Sequence, residues 1–400
     1  TLNYVIYYHA MIHKRTVLLA LTTTHHGFYR GIARYAREHN WHLVPDMLYA
    51  ATIPHGWQGD GILSHVGYWK ELADFVVNSR QPCVELTNVR SDLELPHIKA
   101  DNRLMGALAA RHFLDRSYWH FAWAPFTDDA VNVERMAGFQ AELKTAGFEC
   151  QSLPPQHYLM DGSVLTDWSR QRDKVIENLQ KLPKPLAVFC YNDCVAANIL
   201  HLCQETGIRV PEEVVIMGTD NDILLCDSLN TPLSSVKHDL EGVGYRGAEL
   251  LDRLMDGEEP PREVPVVTPT GVVDRQSTDM IAVENVEVAK ALRYIWENYH
   301  DTLLCTDDIV AFTNLSRRPL EIAFRRELGR TINAEIIRTR LENIKKDLIH
   351  TDKTIADIAA KAGFSHPPQL YRLFRKHLGI TPQAYREEMR TESESVGTGG

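Results

Sequence analysis

From Thr16 to about Thr270, short β-rich apolar runs alternate with segments of helical period. TVLLAL (16–21) is followed by FYRGIARYAREH (28–39), WHLV (41–44) and GDGILS (59–64). The rhythm continues through PCVEL (82–86), LMGALAARHFLDR (104–116), HFAWA (120–124) and ERMAGFQAELKTAG (134–147), then LAVFC (186–190), VAANILHLCQETG (195–207) and VVIMG (214–218). Such alternation implies parallel sheets, here in roughly two Rossmann-like halves. The pattern then changes. An amphipathic helix begins near Asn285, with Val288, Leu292, Ile295 and Trp296 at helical spacing. DDIVAFTNLSRRPLEIAFRRELGRT (307–331) reads as a helix, a turn at Asn314 and a second helix capped by Ser316. Pro319, at about its third position, is tolerable because early helical N–H groups lack intrahelical partners. KTIADIAAKAGFSHPPQLYRLFRKHLGITPQAYR (353–386) repeats the motif: a short helix, a turn at Gly363, a helix capped by Ser365 and a Thr-Pro stop. LEIAFRRELG (320–329) and LYRLFRKHLG (370–379) lie about 50 residues apart, joined by a helix with Ile337, Leu341, Ile344 and Leu348 on one face.

Doubly wound sheets hold ligands at the C-terminal ends of their strands, so the residues that follow each strand carry the candidate chemistry. Thr22, Thr23, Thr24, His25 and His26 follow the first strand, with Asp101 and Asn102 near the middle. Asn192 and Asp193 follow LAVFC, and Asp220, Asn221 and Asp222 follow VVIMG. Any one of these Asx residues also suits a helix cap, and Asp193 is expected to be one.

The chain has 400 residues, 44% hydrophobic and 24% charged, which is too long for one core. Its formal charge of −10 conceals an asymmetry: residues 314–386 hold 15 Lys and Arg against 7 Asp and Glu, a net +8, which leaves about −18 elsewhere. A basic helical stretch calls for an acidic partner such as nucleic acid. Seven cysteines without a CxxC pair fit reduced, buried thiols better than a disulfide framework. No apolar run approaches the ~18 residues of a membrane helix, and residues 1–13 lack a signal-peptide pattern. A cytoplasmic protein that does not enter a membrane is expected. Residues 1–10 read as an extension before the first strand, and residues 391–400 as a disordered tail.

Gly-rich phosphate loops, HExxH pairs and Gly-x-Ser-x-Gly elbows are missing, so no enzyme, cofactor or metal is expected. His39, His42, His25 and His26 read as surface or cleft residues. Asn314-Leu315-Ser316 is a formal glycosylation sequon that a cytosolic protein would not present for modification.

LAVFCYNDCVAANIL (186–200), VPEEVVIMGTDNDILLC (210–226) and PLSSVKHDLEGVGYRGAELLDRLMDG (232–257) resemble LacI-type effector domains, and KADNRLMGALAARHFLDR (99–116) with ERMAGFQAEL (134–143) extends the likeness over most of residues 15–275. The resemblance implies a two-lobed, periplasmic-binding-protein-like α/β fold with a small ligand in the cleft. It places Arg135, in its Arg-x-x-Gly-Phe segment, together with Asn192 and Asp220 as sugar contacts, and Asp101, Thr24 and His26 as further candidates. Sugar hydroxyls suit such side chains, which donate and accept in fixed geometry beside an apolar wall. Xylose-type relatives usually carry a tryptophan shortly before the arginine, where this chain has Val131; Phe126, Trp123 and Phe28 are candidates for the wall.

The C-terminal stretch resembles the AraC-type DNA-binding domain, most specifically in its Ile-x-x-Ile-Ala-x-x-x-Gly-Phe-Ser opening, and that resemblance implies an all-α double helix-turn-helix. Each second helix then enters the major groove, with its exposed early positions on bases and later ones on phosphate. By position the candidates are Arg317, Arg318 and Glu321 in the first helix, and Pro368, Gln369 and Arg372 in the second. Arg318, Arg372 and Gln369 are the expected base readers, and Arg325, Arg326, Arg375 and Lys376 the expected phosphate contacts.

A LacI-like sensor (residues 14–280) joined to an AraC-like reader (285–390) is the architecture of the xylose operon regulators. The resemblance therefore implies a transcription regulator, an activator that works with RNA polymerase, in which a pentose such as D-xylose rearranges a homodimer on promoter DNA. The alternative is a cytosolic sugar-binding protein or enzyme whose C-terminal helices are an interaction module.

Overall fold

The computed structural model describes residues 14–22, 26–47, 52–155, 168–280, 282–283, 285–364 and 366–387. Thr24, His25 and Ser365, and the segments 1–10 and 391–400, lie outside the described residues. The chain forms two compact units, residues 1–280 and 281–400.

In the first unit, β1 (Thr16–Leu21), β2 (His42–Val44), β3 (Gly61–His65) and β4 (Cys83–Glu85) form a parallel sheet in the order β2-β1-β3-β4. Val17, Leu18, Leu19 and Ala20 are all fully buried, which explains why β1 reads as an unbroken apolar run: both of its faces are covered. The second sheet has the order β12-β10-β9-β8-β6-β7. It contains β6 (His120–Ala124), β7 (Cys150–Ser152), β8 (Leu186–Cys190), β9 (Val214–Thr219), β10 (Ser234–Lys237) and β12 (Gly271–Val273). All its pairings are parallel except β10 with β12.

The chain passes between the two lobes three times. It leaves the first at β5 (Lys99–Ala100), returns after β10 into a helix that packs on the first sheet, and crosses again at β11 (Val266–Val267). β5 and β11 pair in parallel, which ties two of the three crossings together.

Helices α1 (His26–Glu38), α2 (Lys70–Val77) and α8 (Leu240–Met255) belong to the first lobe. The second holds α3 (Asn102–Asp115), α4 (Ala130–Thr145), α5 (Trp168–Lys181), α6 (Asp193–Thr206) and the short α7 (Ile223–Ser228). Two helix pairs approach at backbone distance. A Cβ on Gly31 of α1 would lie 2.0 Å from the Glu241 carbonyl oxygen in α8, and one on Gly138 of α4 would lie 1.9 Å from the Arg103 carbonyl oxygen in α3.

Among the described residues, the elements of the second unit are helices: α9 (Val286–Asn298), α10 (Thr306–Phe312), α11 (Arg317–Leu328), α12 (Ile332–His350), α13 (Ile355–Lys361) and α14 (Pro367–Leu378). It has two small cores that share one long helix. Ile332 and Ile336 of α12 join Leu292, Ile295, Ile309, Leu320 and Phe324, while Leu341, Ile344 and Leu348 join Ile358, Leu370 and Phe374. Between α13 and α14 the chain turns at Gly363, at φ +78°, where a Cβ would meet the Tyr299 carbonyl oxygen at 2.7 Å. Asn285 caps α9 with its side chain, and its backbone N–H donates to Glu327 of α11 at 3.0 Å.

Three expected helix ends differ. Asn192, not Asp193, is the cap of α6, and it accepts from the Val195 N–H at 2.9 Å. Ser316 has the extended backbone of a cap before α11 but makes no side-chain capping bond. The Thr-Pro pair is a start, not a stop: α14 ends at Gly379 in the left-handed conformation, and Thr381 accepts from the Ala384 N–H at 3.1 Å to open a helical segment at 382–387. Proline in a first helical turn forfeits no intrahelical bond, which is why the dipeptide fits either role.

Because the α3–α4 contact has no room for a methyl group, Gly138→Ala is expected to force the helices apart at a cost of about 1–3 kcal/mol. Urea unfolding followed by tryptophan fluorescence measures this, and a wild-type midpoint would show that the contact yields freely.

Candidate functional site

In the first unit, the ends of β8 and β9 and the starts of α3 and α4 converge on Arg135, which is 5% exposed. Its Nε donates to Asn102 Oδ1 at 2.9 Å, Nη1 donates to the Tyr191 carbonyl oxygen, and Nη2 lies 3.5 Å from Asp220 Oδ1. A buried guanidinium requires this compensation, since an unpaired charge in a dry site is costly. Asp220 also faces His238 Nδ1 at 3.4 Å. The Asp220 backbone sits at φ +101°, a conformation L side chains rarely adopt, and its N–H donates to the Val236 carbonyl at 3.0 Å. That turn holds the carboxylate over the strand ends.

Asn102, 1% exposed, extends the group: its amide reaches Glu134 at 3.2 Å and Asn88 at 3.5 Å. Lys99 stands 3.5 Å from Glu134. Asn132, one turn before Arg135 on α4, is 4% exposed, and its Oδ1 has no hydrogen-bond partner among the described residues. Asp193 is buried and accepts from Ser235 Oγ at 2.6 Å and the Asp222 N–H at 2.7 Å. Burial, followed by the nearby Asp220 charge, pushes its carboxyl up to about 7.

The lobes meet through phenols. Tyr68, on the loop after β3, donates to Asp129 Oδ2 in the second lobe, as does the Tyr191 hydroxyl at 3.0 Å. Asp129 Oδ1 meanwhile caps α4 by accepting from the Asn132 N–H at 2.7 Å. Phe126 lies beside both rings, 6.1 Å from Tyr68 and 5.6 Å from Tyr191, and the Arg135 guanidinium is 5.2 Å from the Tyr191 ring centre. Glu85, at the end of β4, holds the Tyr68 loop from behind: it accepts from Ser64 Oγ at 2.6 Å and from the Val66 N–H at 3.3 Å. Burial pushes its carboxyl up to about 8.

The sequence candidates separate accordingly. Arg135 and Asp220 are in direct contact. Asn192 is next to Tyr191, with its side-chain oxygen engaged in the cap, and Asp101 likewise caps α3 through the Leu104 N–H at 2.9 Å. His26 is exposed at the first residue of α1 and takes no part in this hydrogen-bonded group. Of the aromatic candidates Phe126 alone joins the cluster, whereas Trp123 and Phe28 pack in the sheet cores, 0% and 2% exposed. Sequence reasoning passed over Tyr68, Asp129, Asn132 and Tyr191. Tyr191 carries a local signal, because it directly follows β8. Among the described residues, no three His, Cys, Asp or Glu side chains are grouped as metal ligands, and no helix is long and apolar enough to cross a membrane.

In the second unit, α11 and α14 are the second helices of the two motifs. Arg318, Arg325 and Arg326 are exposed on α11, as are Pro368, Gln369, Arg372, Arg375 and Lys376 on α14. Arg317 and Glu321 are engaged with each other at 3.0 Å, and Arg317 also reaches Asp307 at 2.9 Å. Below this face Glu335 is 0% exposed; burial raises its pKa, but Arg338 and Arg330 outweigh that and hold it below the ordinary value.

Comparison with known proteins agrees with this division. A periplasmic binding protein-like domain matches residues 110–278, and a helix-turn-helix domain matches residues 309–388. The xylose operon regulatory protein of Escherichia coli (strain K12) is 28% identical over 371 residues, 89% of this chain and 92% of that protein. Its namesake in Haemophilus influenzae is 26% identical over 296 residues, 73% and 74% of the two chains. The solved structure of the xylose-binding transcription activator XylR aligns over 94% of this chain and 98% of its own, with a TM-score of 0.57 at 24% identity. A LacI family regulator from Mycobacterium smegmatis aligns over 66% and 98%, with a TM-score of 0.54 at 19% identity. Both structural likenesses establish the fold.

Two measurements probe the lobe contact. Tyr68→Phe deletes a hydrogen bond to a carboxylate, worth about 1.5–3 kcal/mol; a lowered melting temperature is expected, and an unchanged one would mean that the phenol does not hold the lobes. Glu85 has a folded pKa raised from 4.5 to about 8, so the folded state binds its proton more tightly and loses this stabilisation as pH rises from 4.5 through 8. Glu85→Gln does not titrate there, so its urea midpoint should gain on that of wild type between pH 5 and pH 8; parallel profiles would exclude the shift.

Proposed function

We propose that this chain, a periplasmic binding protein-like unit joined to a helix-turn-helix unit and similar along most of its length to xylose operon regulatory proteins, is a sugar-responsive, DNA-binding transcription regulator. Residues 14–280 sense the ligand and residues 285–390 read promoter DNA. The observation that carries the sensor reading is the charge-compensated Arg135–Asp220 pair among buried amides at the strand ends. With its cation already matched by an acid, the site does not call for an ionic ligand. Neighbouring Asn, Asp, Tyr and His groups can donate to and accept from hydroxyls, and Tyr68, Phe126 and Tyr191 supply the wall that Val131 lacks. This chemistry fits a neutral polyol, and the relatives named above favour a pentose such as D-xylose.

In this reading Arg135, Asn192 and Asp220 contact the sugar, with Asp101 and His26, and Thr24 outside the described residues, as further candidates. The sugar acts by binding one arrangement of the lobes more tightly than another, since equal affinity for both would shift nothing. The protein works in the cytoplasm as a homodimer, and the basic faces of α11 and α14 hold it beside RNA polymerase as an activator.

Asp220→Ala removes a charged hydrogen-bond partner. Calorimetric affinity for the pentose that stabilises wild type best in a thermal-shift screen of xylose, arabinose and ribose is expected to fall roughly ten- to hundredfold, with sugar-free DNA binding retained. Unchanged affinity would remove Asp220 from the site.

A further inference from the structure

The two helix-turn-helix motifs repeat with an offset of 50 residues: Leu320, Phe324 and Arg325 correspond to Leu370, Phe374 and Arg375. The buried positions match, because Leu320, Phe324, Leu370 and Phe374 are all 0% exposed. The two reading helices therefore face away from their cores in the same register. On that register, Arg372 of α14 corresponds to Ile322 of α11.

Ile322 is an isoleucine on the surface, 61% exposed, within an otherwise charged face. At 3.6 residues per turn it lies about 40° around the helix from both Arg318 and Arg326 and on the side opposite Leu320 and Phe324. Neither packing within this unit nor solubility accounts for an apolar side chain there. Its neighbours are engaged otherwise: Arg317 and Glu321 pair with each other, and Arg326 reaches Glu327 at 3.1 Å.

Resting on the DNA-binding reading above, we infer that Ile322 is a base-reading side chain of the first helix-turn-helix and that it recognises the C5-methyl group of a thymine. The thymine methyl is the one apolar feature that the standard base pairs display in the major groove, and an aliphatic side chain has nothing to offer their donors and acceptors. The equivalent Arg372 suits the paired acceptors of guanine. At this position the two motifs therefore read by different chemistry, and the Ile322 contact should tolerate salt better than the Arg372 one, because a methyl–methyl contact is not screened.

The test uses the full chain and a random-sequence duplex library from which bound DNA is selected and sequenced. Wild type is expected to enrich a motif with a thymine column whose replacement by uracil, which deletes only the methyl group, weakens binding about three- to tenfold. Ile322→Ala should bind the thymine and uracil duplexes equally while it keeps the columns that Arg372→Ala erases. Ile322→Arg should turn the thymine column towards guanine. Because Ile322 is on the surface, each variant is expected to melt as wild type does. A wild-type motif with no thymine that responds to uracil, or an Ile322→Ala variant that still discriminates the two duplexes, would overturn the assignment. If wild type enriched no motif at all, the DNA-binding reading itself would fail first.

Discussion

A buried guanidinium cannot be left without partners, and much of the architecture of the first unit can be understood as the compensation of Arg135. Its three engaged nitrogens fix the start of α3 through Asn102, the end of β8 through the Tyr191 carbonyl, and the turn after β9 through Asp220. Each of those points terminates an element of the second lobe, so one side chain sets the relative positions of three strand and helix ends. The uncommon backbone at Asp220 is tolerated in the same framework. A substitution that displaced α4 by even part of an ångström would disturb all three partners together, which gives the close Gly138–Arg103 approach its importance.

The lobes are joined by softer means. Asp129 accepts from phenols on both lobes while it caps the helix that carries Arg135. The lobe contact and the site geometry are thus coupled through one carboxylate, with Glu85 bracing the Tyr68 loop on the far side. The paired crossings β5 and β11 restrict how the lobes can move, since two of the three connecting segments must bend as one.

Much of this was legible in the chain because parallel strands buried on both faces announce themselves as apolar runs: β1, β6 and β8 have the bounds that their sequences suggest. β5 and β11 did not announce themselves, since two-residue strands have no period. Asp220 was singled out by its place after a strand and Arg135 by its family-like segment, and the structure brings the two together. Tyr68 and Asp129 were not, because their roles arise only when distant loops meet. Asn192 and Asp193 were exchanged as caps for a local reason: either residue can cap, and the choice depends on where the backbone leaves the strand. The Thr381-Pro382 pair failed similarly, because proline is compatible with both the end of one helix and the beginning of the next.

In the helical unit, the backbone N–H of Asn285 is held by Glu327 near the end of α11. The unit's leading end is thereby riveted to α11, while the turn before α14, at Gly363, packs against the Tyr299 carbonyl beyond the far end of α9. A tug on the chain at residue 285 would arrive at α11 through one hydrogen bond and at α14 by two longer routes, along α9 to the Gly363 turn and along α12 to the second core. The twin motifs, alike in sequence, are mechanically unequal: the first is gripped at the near end of α9 and the second at its far end.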